Sequence, residues 1–177
     1  MLKKLSIVLS VLLLICCNNN KELVEQMEII SSVPLKVSYT EMLRVTDSTM
    51  TSVPDRKYPY TMVVYMDSVS CSRCIMNSLR YWNDLFYLEK EGRVYFSFIL
   101  SADHGNKDEI IESYKASGLE HEVYVDTSGV FRRQNPQITD NRLLHDLLIN
   151  KNDSVVLIGD PTKNNKLNEM FFSIIKK

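Results

Sequence analysis

The chain has little of what marks several common functions. Its 177 residues include only 5 glycines, 3 histidines and 1 tryptophan. No Gly-rich phosphate loop, nucleophile elbow or paired His/carboxylate metal motif is visible, so nucleotide binding, serine hydrolysis and metallohydrolysis lack their usual signatures. Charge of neither sign dominates: 21 Lys and Arg against 22 Asp and Glu leave a net −1, which gives no electrostatic reason to expect nucleic acid. There is no internal repeat or low-complexity insert, and no apolar run of the roughly 20 residues that a membrane-spanning helix needs. What remains is ordinary globular composition, 45% hydrophobic and 24% charged, at a length suited to one domain with a substantial core.

The first residues read as a processing signal. Lys3 and Lys4 form a basic start, and Leu5 to Ile15 is apolar apart from Ser6 and Ser10. The Leu14-Ile15-Cys16-Cys17 that follows resembles a lipobox. Cys17 is the expected lipidated residue, because Cys16 then supplies the small side chain before the cut and Leu14 the aliphatic one. Lipidation at Cys16 would put bulky Ile15 at that small position. Residues 1–17 are thus expected to be a lipoprotein signal peptide and 18–33 a tether, in which Leu23, Met27 and Ile30 have the spacing of a short amphipathic helix. Export beyond the inner membrane would place any thiol pair in an oxidising compartment.

From Pro34 to Lys177 the pattern is that of one α/β domain. Leu35 to Tyr39 is expected as an edge strand and Thr46 to Lys57 as loop. Thr61 to Met66 is a continuous apolar, β-prone run, the mark of a strand buried on both faces. Ile75, Leu79, Trp82 and Phe86 then repeat at helical spacing up to Gly92, and Val94 to Leu100 is a second buried strand. Asp108 to Ser117 reads as a helix stopped by Gly118, Glu122 to Val125 as a strand, and Gly129 to Gln134 as a helical turn. Leu143 to Ile149 and Val155 to Ile158 are separated only by Asn150-Lys151-Asn152-Asp153, so they are expected to form an antiparallel hairpin. Leu167 to Ile175 closes the chain as a helix with Leu167, Met170, Phe171 and Ile174 on one face.

Between the first buried strand and its helix lies Cys71-Ser72-Arg73-Cys74. Two intervening residues at a helix start bring two sulfurs within bonding reach. The free N–H groups and dipole of a helix N-terminus stabilise a thiolate. Cys71 is therefore the expected attacking residue, and Cys74, one turn in and more buried, the resolving one. Arg73 either adds positive potential or is an exposed charge. Three uses of the pair stay open: redox exchange, a structural disulfide in an exported binding module, and a copper or zinc site. The last needs further ligands, and only His104, His121 and His145 could supplement it. His104 and His121 are expected at the surface. Asp67 is either a proton acceptor for Cys74 or a turn residue, and Tyr81, Trp82 and Phe86 are expected to pack the helix face.

The stretch from Val64 to Cys74, with Leu79 and Trp82, resembles the active-site segment of thioredoxin-like bacterial lipoproteins of the TlpA and ResA type. Leu147 to Pro161 resembles the hairpin of the same family, so the likeness runs from about Tyr60 to the C-terminus. It implies a thioredoxin-like three-layer α/β/α fold with a central mixed sheet, a C-terminal β-hairpin and a final helix. It also implies a membrane-anchored thiol–disulfide oxidoreductase acting through Cys71 and Cys74, which form its disulfide when oxidised. Its partners would be exported protein thiols and disulfides and a membrane redox partner. No cofactor, metal or nucleic acid is implied, and a monomer is expected. The domain would lie in the periplasm or on the cell surface, lipid-anchored to the inner or outer membrane. The sequence departs from the family pattern at Ser70, at Ser72-Arg73, and at Leu144, which stands where the family carries a cis-proline opposite the two cysteines.

Overall fold

The structure is a computed structural model that describes residues 21–46, 58–67, 72–102 and 107–176. The expectations for Cys16, Cys17, Ser70, Cys71 and His104 fall outside these residues, as does most of the Thr46 to Lys57 loop.

A helix over 21–31, α1, precedes the sheet. The elements that follow are β1 (Leu43–Val45), β2 (Tyr60–Met66), α2 (Ser72–Leu79), a 3-10 segment (Arg80–Leu85), α3 (Tyr87–Lys90) and β3 (Val94–Ser101). Next come α4 (Lys107–Ser117), β4 (Val123–Asp126), α5 (Val130–Gln134), a 3-10 turn (Arg142–Leu144), β5 (Asp146–Asn150), β6 (Val155–Ile158) and α6 (Asn165–Ile175). The strands form one mixed sheet in the order β1-β4-β3-β2-β5-β6. β2 lies at its centre, parallel to β3 and antiparallel to β5.

The unbroken apolar strands are explained by the two cores they divide. Side chains alternate across a strand. Met62 and Val64 of β2 and Phe96, Phe98 and Leu100 of β3 therefore enter one cluster, beneath Met76, Leu79, Trp82, Ile110 and Phe171 from the helices. Val63, Tyr65 and Ile99 enter the other, with Leu147 and Ile149 of β5. That second face is covered by a thinner layer: α1, α5 and the irregular segments around Leu35, Ile138 and Leu144. Trp82 and Phe86 meet Phe96 and Phe98 edge to face, so these aromatics are packing residues, while Tyr81 is 67% exposed.

Several elements differ from the sequence expectation. Residues 21–31, expected within the tether, fold onto the domain: Ile30 is fully buried, and Leu23 and Met27 pack on the second core. Leu35 to Tyr39 is not a strand. Its backbone is met by loops and a side chain, Leu35 N donating to Asp153 O (2.8 Å) and Lys36 N to Asn135 Oδ1 (2.7 Å), and Leu43–Val45 takes the edge against β4 instead. The helix expected up to Gly92 is broken by the 3-10 segment. Its i, i+3 eclipsing puts Trp82 and Leu85 together on the buried side. β5 starts at Asp146 rather than Leu143, because Asn141 accepts from Leu143 N and folds 142–144 into a turn. On α6, Met170 is exposed and Ile175 is buried. Gly118, at φ +69°, ends α4 in the left-handed conformation that glycine adopts without strain.

Candidate functional site

The site is set by how β2 ends. This central strand delivers the chain at Met66 and Asp67, and α2 begins at Ser72. Cys74 lies in the first turn of α2, is disulfide-bonded, and is exposed rather than tucked under the helix as expected. Cys71 lies outside the described residues. Arg73 is exposed. Asp67, expected as a proton acceptor or a turn residue, pairs with Arg142 Nε at 3.1 Å and so ties the end of β2 to the 142–144 turn.

A groove of about 720 Å³ runs beside α2. Ile75 and Ser78 of α2 form one wall, Tyr65, Met66 and Asp67 the end of β2, and Leu143 to Asp146 the opposite side. Leu23 and Met27 of α1 close another side, and Gly159, Lys163 and Leu167 complete it. Gly159, at φ +118°, permits this closeness: a Cβ there would lie 2.7 Å from Leu167 Cδ1. Leu144, expected from the sequence likeness to stand where a cis-proline is usual, is buried in the groove wall, and no peptide bond among the described residues is cis.

Asp146 was not singled out by sequence. Its carboxyl faces the groove beside Asp160 and Lys163, and burial followed by the Asp160 charge pushes it up to about 7. Asp160 is itself held by Lys163 Nζ at 2.9 Å. Burial would lower the Lys163 ammonium, but the Asp160 hydrogen bond and the nearby carboxylates raise it. The available signal was an acid interrupting the apolar run Leu143-Leu144-His145-Asp146-Leu147-Leu148.

Neither described histidine is exposed. His121, expected at the surface, is enclosed by Phe86, Tyr95 and Phe98 and its Nε2 lies 2.8 Å from Glu89 Oε2. His145 is buried with its Nε2 2.8 Å from Thr139 O, and its carbonyl accepts from Tyr65 N. Among the described residues, no group of three or more His, Cys, Asp or Glu side chains is placed to hold a metal.

A second polar cluster, also missed by sequence, lies away from the groove. Glu122 Oε1 accepts from Tyr124 Oη (2.6 Å) and Tyr95 Oη (3.0 Å), while Glu122 Oε2 pairs with Arg44. Burial would raise the Glu122 carboxyl. The hydrogen bonds from Tyr124, Arg44 and Tyr95 outweigh it and hold the group below its ordinary value. Both tyrosine hydroxyls are raised, chiefly by burial.

No family model and no curated protein matches the sequence. Solved structures do. A thioredoxin-like protein from Bacteroides caccae, 14% identical, aligns over 83% of this chain and 52% of its own with a TM-score of 0.51. A thioredoxin-like protein from Porphyromonas gingivalis is 13% identical over 79% of this chain and 90% of its own, TM-score 0.48. A candidate thiol:disulfide interchange protein DsbE from Chlorobium tepidum is 16% identical over 66% and 78%, TM-score 0.44. The mixed sheet, with a helix leaving the end of its central strand and a hairpin and helix closing the chain, is the thioredoxin-like fold.

Proposed function

We propose that the chain is a thiol–disulfide oxidoreductase, lipid-anchored through Cys17, that exchanges disulfides with exported proteins. The observation that carries this reading is a disulfide-bonded, exposed Cys74 in the first turn of the helix leaving the central strand, beside a groove large enough for a peptide. Cys71 stands three residues before Cys74 in the sequence, and a cysteine just ahead of a helix start is favoured as the thiolate. In the reducing direction, the Cys71 thiolate attacks one sulfur of a substrate disulfide and the other sulfur leaves as a thiolate. Cys74 then attacks the Cys71 sulfur. This releases the second substrate thiolate and leaves the pair oxidised, two electrons having passed to the substrate. A membrane dithiol partner restores the pair by the same exchange; oxidation of a substrate is the reverse sequence.

The test is turnover of a model disulfide by the full chain. Cys71→Ser is expected to abolish it, and Cys74→Ser to accumulate a mixed disulfide visible by mass spectrometry. Wild type and both variants reacting equally would overturn the reading. A potential below about −300 mV with no loss on mutation would instead mark a structural disulfide. Anchoring is checked separately: Cys17→Ser should move the protein from the membrane to the soluble fraction.

A further inference from the structure

Between Cys17, the expected lipidated residue, and Lys21, the first residue of α1, the sequence has only Asn18, Asn19 and Asn20. From α1 onward the chain is fastened to the domain. Ile30 is fully buried, and Leu23 and Met27 pack on the second core. Gln26 Oε1 accepts from Asn141 Nδ2 (3.3 Å) and Thr139 Oγ1 (3.4 Å). Past the helix, Leu35 N donates to Asp153 O (2.8 Å), and Asn135 bonds both the N–H and the carbonyl of Lys36. A free tether over 18–33 would reach about 55 Å, whereas the steps from Cys17 to Lys21 reach at most about 14 Å. The leash is short.

The end of α1 that this leash holds is also the end near the thiols. Leu23, about 3 Å along the helix axis from Lys21, lines the same groove as Met66 and as Ile75, the residue after Cys74. The start of α2 is thereby kept within roughly 25 Å of the acyl-bearing residue. α1 does not itself grip lipid. Val24 and Ile29 are exposed but lie about 140° apart around the helix, and exposed Glu22, Glu25 and Glu28 outnumber Lys21. Height above the bilayer is therefore set by the leash.

Resting on the lipid anchor and the exchange chemistry above, we propose that the domain is held with its thiol end at the bilayer surface, and that its partners are protein disulfides and dithiols carried on that surface. Such a partner shares a thin layer with the cysteine pair, which raises its effective concentration. A soluble protein gains no such enrichment.

Trp82 is the only tryptophan, so its energy transfer to dansyl-labelled phosphatidylethanolamine in phosphatidylcholine vesicles reports how high the lipidated full chain stands. An insertion of about 20 Gly and Ser residues between Asn20 and Lys21 adds roughly 25 Å of root-mean-square reach. Wild type is expected to transfer strongly, and the insertion variant to lose most of that transfer. Weak transfer in wild type, or transfer unmoved by the insertion, would overturn the proposal. Exchange is then measured with one disulfide peptide in two forms, free and carrying two acyl chains. Wild type should react with the acylated form about tenfold faster, and the insertion should cut that preference about threefold. Equal rates for the two forms, or a preference that the insertion leaves intact, overturns the assignment of partner. Failure of the full chain to float with the vesicles sinks the anchor reading, and the proposal with it. No turnover of either peptide sinks the oxidoreductase reading, while energy transfer still decides where the domain stands.

Discussion

Two carboxyl groups at different ends of the sheet have been handled in opposite ways. Glu122, just before β4, receives two tyrosine hydroxyls and Arg44, and its environment is arranged around the charged form. Asp146, at the start of β5, receives no side-chain hydrogen bond from the described residues and faces a second acid, so its environment favours the neutral form. Burial alone pushes both groups up; the supply of donors decides the outcome. Satisfied polar clusters stiffen a fold, whereas an under-supplied acid beside a groove is the pattern of a surface prepared for something other than stability.

The comparison breaks most visibly if Glu122 loses its charge. Glu122→Ala leaves Arg44 and two buried hydroxyls without their acceptor and should cost about 3 kcal/mol in urea unfolding. Because its folded pKa lies below the ordinary value, the stability it adds is present above about pH 4.5 and is lost as pH falls through the folded pKa. A loss smaller than that of an exposed glutamate would show that the cluster is not held together by this group.

Asp146 should behave in reverse. With its folded pKa raised to about 7, the folded state keeps a proton that the unfolded chain releases near pH 4. The resulting penalty is absent at about pH 4, grows as pH rises through the interval to 7, and is constant above it. Asp146→Asn should therefore match wild type at low pH and exceed it by about 1–2 kcal/mol at pH 8, allowing for the water in the groove. Unfolding curves at several pH values that stay parallel would remove the contrast with Glu122.

The smallest effect concerns the tie across the groove. Arg142 is well exposed, so Arg142→Ala should change stability by less than about 0.5 kcal/mol, measured by thermal melting. A larger loss would mean that the pair with Asp67 holds the turn in place.

Much of this frame was legible in the sequence because its strands are apolar over whole runs. Met62 to Tyr65 and Phe96 to Leu100 have no polar alternative except Ser97, and the short link 150–153 allowed little but a hairpin. Two of the misreadings share a cause: a polar side chain bonding to backbone. Asn135 holds Lys36 from 99 residues away, which keeps Leu35 to Tyr39 out of the sheet. Asn141 caps the turn that shortens β5. The site was half legible. Spacing and position exposed the cysteines, whereas Asp146 and the Glu122 cluster acquire meaning only when separate segments meet. His121 was misread because flanking glutamates look like surface, although Glu89 and four aromatics enclose its ring.

The docking of α1 has a practical consequence. A fragment cut to begin at Pro34 would look like a tidy domain, yet it would lack Ile30, buried in the second core, and Leu23 and Met27 from the groove. Such a fragment should expose apolar surface on its thinly covered face and tend to self-associate. Any soluble version meant to report the native groove has to keep the residues from 21 onward.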